Sequence, residues 1–211
     1  MKRLTPSNQE LDSDDIRAAL YQREDELSDI QNARADQNGN IECAGIILFG
    51  IILFPQMVSP IFLNPGANLQ AIQDAREKGQ TIIVLVPKKQ KKLVESVEDL
   101  LEIGTEAAVG QLIKLSADDY SALIQGRRRI EIKKIVSTKP FIKIIGHPIQ
   151  EEIKVNQALR ATMRITRNLF EQCVQLDRSL PDEAHTLSMS VEKPAWLADL
   201  IATAISPEMG E

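Results

Sequence analysis

Residues Ile46–Leu63 read IILFGIILFPQMVSPIFL, and the folding of this stretch decides how the rest of the chain is arranged. Eight of its first nine residues are large and apolar, and four of these are isoleucine. A β-branched run of that length, closed by Pro55, predicts a strand buried on both faces. Pro55 and Pro60 have no N–H to offer a ladder, so the chain must turn or follow a sheet edge between Gln56 and Leu63. The rival reading is a transmembrane helix, because the twenty residues from Ala44 to Leu63 carry no charge. A span needs about 20 residues of apolar helix, yet Pro55, Gln56, Ser59 and Pro60 crowd one half of this one. Basic flanks and a signal-peptide layout are missing too. The stretch reads as a core strand, with no membrane partner expected.

Working outward, the chain has 211 residues, of which 43% are hydrophobic, enough for one domain or two small ones. Aromatics are only 4%, so aliphatic packing must dominate. A net charge of −5 gives no general attraction to nucleic acid or acidic membrane. Cys43 and Cys173 follow no metal or redox spacing and read as thiols in a reducing cytoplasm. His147 and Glu151 stand four apart, but Pro148 intervenes and no third ligand is near, so no metal site is expected. Residues 1–41 are polar and read as a mobile leader, with Ile16, Leu20 and Leu27 too thin a stripe to hold it down.

After the first strand, Asn64-Pro65 offers a helix cap and a first-turn proline, Leu69 and Ile72 follow at helical spacing, and Gly79 is a stop. Thr81–Val86 reads as a second buried strand. Ile103–Leu115 is extended, Ser116–Asp119 has the composition of a hairpin turn, and Tyr120–Gln125 returns. Arg129–Lys133 alternates strictly, as a strand with one wet face does, and Phe141–Ile145 closes the series. From Pro148 the pattern becomes helical. Ile149, Ile153, Leu159, Met163, Phe170 and Val174 suggest one long amphipathic helix, and Pro181 and Pro194 stand where others begin. The expected fold is α+β: a small bent sheet or partly closed barrel with one inserted helix, over residues 42–148, then a helical lobe over 149–207 and a tail at 208–211.

The same residues resemble the N-terminal domain of Lon, the ATP-dependent serine protease. Phe54-Pro55, Met57-Val58, Pro60 and Phe62 match the opening of that domain. Leu100–Thr105, Gln111–Leu115, Gly126–Arg129, Leu180–Glu183, Ser190–Pro194 and Leu197–Ala202 are similar to later segments, so the resemblance covers about Ile46–Ile205. Ile47, Phe49 and Gly50 depart from the family, which favours proline, arginine and aspartate at those places. The resemblance implies a substrate-recognition domain that also supports a hexamer when part of a full Lon.

The chemistry of a complete protease is missing from the chain. None of its ten glycines precedes a lysine, so there is no phosphate loop. No Gly-Pro-Ser triplet is present to set a serine nucleophile. The expectation is therefore no enzyme activity, no cofactor and no catalytic residue. Lys88, Lys89, Lys91 and Lys92, and the triplet Arg127-Arg128-Arg129, lack the interleaved aromatics of a nucleic-acid surface and read as solvated loop and strand terminus. Asp14-Asp15, Asp118-Asp119 and Glu151-Glu152 read as surface or capping residues. The chain, either a piece of the protease or a free-standing relative of its first domain, is read as a cytoplasmic, non-catalytic domain that recognises unfolded or damaged proteins and supports assembly of a Lon-type protease. The alternative is a stand-alone binding module with its own protein partner. Met57, Val58, Ile61 and Phe62 are the expected client contacts, since thioether and ring pack against varied shapes.

Overall fold

The computed structural model describes residues 25–89, 94–116, 118–150, 152–178, 180 and 182–205. Seven strands form one sheet: β1 (Ile41–Ile47), β2 (Val58–Leu63), β3 (Ile82–Leu85), β4 (Ile103–Val109), β5 (Ile113–Lys114), β6 (Tyr120–Ser137) and β7 (Ile142–Pro148). The helices among the described residues are α1 (Asp25–Ser28), α2 (Ala67–Glu77), α3 (Gln157–Leu176), α4 (Asp182–Ser190) and α5 (Pro194–Ile205). The fold is mixed α+β, as the sequence predicts, with α2 as the helix inserted between β2 and β3.

β6 organises the sheet. Over its 18 residues it pairs with β2, β4, β5 and β7, and the ladder β6–β4–β3–β1–β7 returns to β6 as a ring. β1 and β3 run parallel; every other pairing is antiparallel. β1 and β3 are buried on both sides. Ala44, Ile46, Ile82 and Val84 pack under Leu69, Ile72 and Ala75 of α2, and Ile41, Cys43, Ile83 and Leu85 join the second cluster with Ile130 and Ile144. Alternation along a strand requires this division.

Three local expectations are corrected. The strand expected from Ile46 onward lies earlier, at Ile41–Ile47, and the chain is irregular from Leu48 to Met57. Gly50 takes a φ of 72° there, a left-handed conformation that suits glycine and breaks a strand. Leu48 and Leu53 are still buried, so the apolar run fills core without being ladder. Second, Tyr120–Ser137 is one strand, not two. Gly126 lies within it because the Phe54 carbonyl oxygen passes 2.1 Å from where a Cβ would sit. Third, the long helix begins only at Gln157, where the Asn156 side chain accepts from Leu159 N at 2.8 Å. Ile149 and Ile153 precede it in chain without regular structure.

The mobile leader is also revised where the structure describes it. Leu27 is 1% exposed and packs with Ala108 and Leu123. Ala33 N donates to Glu106 Oε1 at 2.6 Å, Arg128 donates to Ala33 O at 2.9 Å, and Arg127 donates to Leu27 O. Main-chain groups of residues 27–33 are thus tied to strands β4 and β6. Ile16, Leu20 and Asp14-Asp15 lie outside the described residues, as do Lys91, Lys92 and Glu151.

Candidate functional site

β2 ends the sheet path and pairs only with β6, so one of its edges is free among the described residues. Gly126 N donates to Met57 O at 2.9 Å, which turns Met57 toward β6. By alternation Ser59, Ile61 and Leu63 also face β6, and Val58, Pro60 and Phe62 present their main chain outward. The one residue without an N–H therefore stands in the middle of the free edge, a device that blunts edge-to-edge pairing.

Side chains alternate as well. Ile61 is 2% exposed in the main core, and Phe62 beside it is 55% exposed. Phe62 lines an open groove of about 690 Å³ together with Phe49, Ile47, Asn68, Val94 and Ile142. Phe49 follows β1 and is 48% exposed. The end of β1 is held by Asn68, whose Oδ1 accepts from Ile47 N at 3.1 Å and whose Nδ2 donates to Ile47 O at 2.8 Å. That pair of bonds closes the terminus of β1 at the groove.

The four residues expected to contact a client do not form one surface. Phe62 is at the rim and Ile61 is core. Met57 is half-buried against the main core and accepts a contact from Thr203 Oγ1 at 3.7 Å on α5. Val58 is half-buried against the cluster of Leu27, Ala108 and Leu123. Sequence reasoning missed Phe49, whose only signal was that an aromatic stands where the family favours arginine.

A second cleft, of about 550 Å³, lies where the β-rich part meets the helices and is lined by Pro55, Gln56, Arg127, Ile149 and Trp196. The arginine triplet, expected as a strand terminus, lies within β6 and is structural. Arg127 holds Leu27 O. Arg128 Nε meets Glu106 Oε2 at 2.5 Å, and Arg129 pairs with the nearly buried Asp199 of α5. Glu106 is fully buried and also accepts from Thr81 Oγ1 at 2.6 Å. Burial, with the Glu106 charge nearby, pushes the Cys43 thiol up to about 12. His147 Nδ1 lies 3.3 Å from Asn40 Oδ1, and no group of three metal-ligating side chains occurs among the described residues. None of their helices is long and apolar enough to cross a membrane.

The molecule is thus an α+β unit with a helical annex and an open groove of mixed apolar and polar lining beside a blunted sheet edge. The chain belongs to the family of the ATP-dependent protease La (LON) substrate-binding domain, whose family model matches residues 43–209. It is 31% identical over 160 residues to the Lon protease of Heliobacterium modesticaldum, covering 75% of this chain and 20% of that one. It is 28% identical over 165 residues to Lon protease 2 of Herpetosiphon aurantiacus, covering 78% and 20%. The chain thus matches about a fifth of the length of these relatives. In fold it is similar to the N-terminal domain of the Mycobacterium avium complex Lon protease, with a TM-score of 0.57 at 19% identity over 75% of this chain and 80% of that one.

Proposed function

We propose that this chain captures unfolded or damaged protein segments for a cytoplasmic Lon-type ATP-dependent protease and contributes to its assembly, without catalysing a reaction itself. In this reading the β-rich unit of residues 42–148 presents the client groove and the helical unit of 149–207 serves assembly. The observation that carries it is the pair Phe49 and Phe62, both about half exposed on one open groove. Exposed apolar side chains are what unfolded chains share, and a shallow aromatic-rimmed groove suits weak, sequence-tolerant contact with them.

The test pairs binding with melting. Phe62→Ala and Phe49→Ala are expected to weaken capture of a permanently unfolded, fluorescently labelled protein while costing less than about 1 kcal/mol of stability each. Ile61→Ala, a core truncation, is expected to cost about 2–5 kcal/mol. If the two phenylalanine variants bind the unfolded probe as well as the parent does, the groove is not the client surface. ATP hydrolysis or peptide cleavage by the purified chain would overturn the non-catalytic part.

A further inference from the structure

We infer that α3 pairs antiparallel with α3 of a second copy of this chain, through the face it turns away from its own lobe. Ala158, Thr162, Ile165, Leu169, Gln172 and Leu176 succeed one another in alternating steps of four and three, and all six are exposed. Such steps place side chains in a single line along a helix, the seam of a two-helix coiled coil. Ile165 and Leu169 are more than half exposed, and Leu176 is 86% exposed. On the opposite side Met163, Phe170 and Val174 are buried within the protein. Charge is sorted the same way. The charged residues of α3 are Arg160, Arg164, Arg167 and Glu171, and none falls on the seam or on the positions flanking it. A solvated helix face in a chain that is 26% charged would not be sorted so completely.

The order of residues along the seam names its occupant. Turned end for end about Arg167, the seam matches itself. Ala158 comes opposite Leu176, Thr162 opposite Gln172, and Ile165 opposite Leu169. Small meets large, polar meets polar, and apolar meets apolar, which is the self-complementarity that a two-fold contact between identical copies requires. Antiparallel packing also sets each helix dipole against the reverse of the other. The uncharged seam brings no like charges together, although each chain carries a net −5. A helix of 20 residues is about 30 Å long, so its face is smaller than the roughly 800 Å² per partner of a standard interface. The pairing is accordingly reversible. It deepens the assembly part of the reading above and rests on it, but its test reads α3 alone and is separate from client binding.

Sedimentation of the full chain over about 10–300 µM, the range in which weak association is read, should show a monomer–dimer equilibrium. Leu169→Glu, which would place a carboxylate on the seam of each copy, should weaken association about tenfold or more with unchanged melting. Orientation is read by the distance between spin labels on the exposed Cys173 of the two copies, with buried Cys43 taking no part. Cys173 lies six residues from Arg167, so an antiparallel pair sets its two copies about 20 Å apart and a parallel pair about 10 Å apart. A chain that stays monomeric throughout that range, or a Leu169→Glu variant that dimerises like the parent, overturns the pairing. A dimer whose two Cys173 labels lie about 10 Å apart overturns the antiparallel geometry. A monomeric parent that loses capture of the unfolded probe on Leu169→Glu makes the face a client surface and also overturns the pairing.

Discussion

At the scale of single residues, neighbours in sequence have opposite environments. Ile61 and Phe62 are adjacent and equally apolar, and strand alternation sends the first into the core and the second to the rim. The two cysteines divide in the same way. Cys43 lies within β1, and its thiol is pushed up to about 12 by burial and then by the nearby Glu106 carboxylate, whereas Cys173 is exposed on α3. At pH 8 the thiolate fraction of Cys43 is on the order of one in ten thousand, so a thiol reagent should label Cys173 in the native protein and both cysteines only after unfolding. Rapid native labelling of both would show that β1 opens. The linkage has a sign. The folded thiol keeps its proton up to about 12 and the unfolded one loses it near 9.0, so this group's contribution to stability is whole below pH 9.0 and is lost as pH rises toward 12. Cys43 in the core and Phe62 outside it follow from pattern once a strand is placed. Phe49 does not, because it lies where the ladder has ended and no period applies.

At the scale of elements, type was more legible than boundary. The helix between Asn64 and Gly79 and the strand at Thr81–Val86 are both present, but α2 is capped at Gly66, two residues later than the Asn-Pro signal suggests. Asn64 donates instead to Asp119 Oδ1 at 2.9 Å, a partner 55 residues away that no local window contains. The apolar run at Ile46 misled for a related reason: hydrophobic density reports burial, and Leu48 and Leu53 are buried in irregular chain. Gly126 reads in sequence as punctuation between two strands. In the fold it lets the loop of Phe54 and Pro55 cross β6, with Gln56 N donating to Gly126 O at 2.9 Å. Gly126→Ala should cost at least the roughly 1–3 kcal/mol typical of an overpacked site, because the obstacle is main chain and cannot rotate away. Urea unfolding measures this, and a variant as stable as the parent would show that the loop does not lie on β6.

At the scale of the whole molecule, the arginine triplet joins parts that the sequence presents as separate. Arg127 and Arg128 hold residues 27–33, and Arg129 reaches Asp199 on α5. Only the fold brings together residues 70 apart, so these arginines looked like a solvated terminus. Asp199→Ala leaves Arg129 without this carboxylate and, since the pair is only part-buried, should cost about 1–3 kcal/mol. If the two parts fold independently, protease should then attack α5 well before β6, and equal resistance in variant and parent would mean that other contacts suffice. The ring of strands also has a consequence during synthesis. β1 and β3 leave the ribosome early, yet each gains its antiparallel neighbour only from strands made later, and the ring cannot close until β7 is out. At 5–20 residues per second, the roughly 60 residues from β3 to the end of β7 take about 3–12 s. For that interval the isoleucine-rich strands have no finished sheet to enter, which makes the nascent chain itself a client for chaperones. A chain ended at Ser137, lacking β7, should accumulate in chaperone complexes or aggregate, whereas one ended at Gln150 should be recovered folded at least in its sheet.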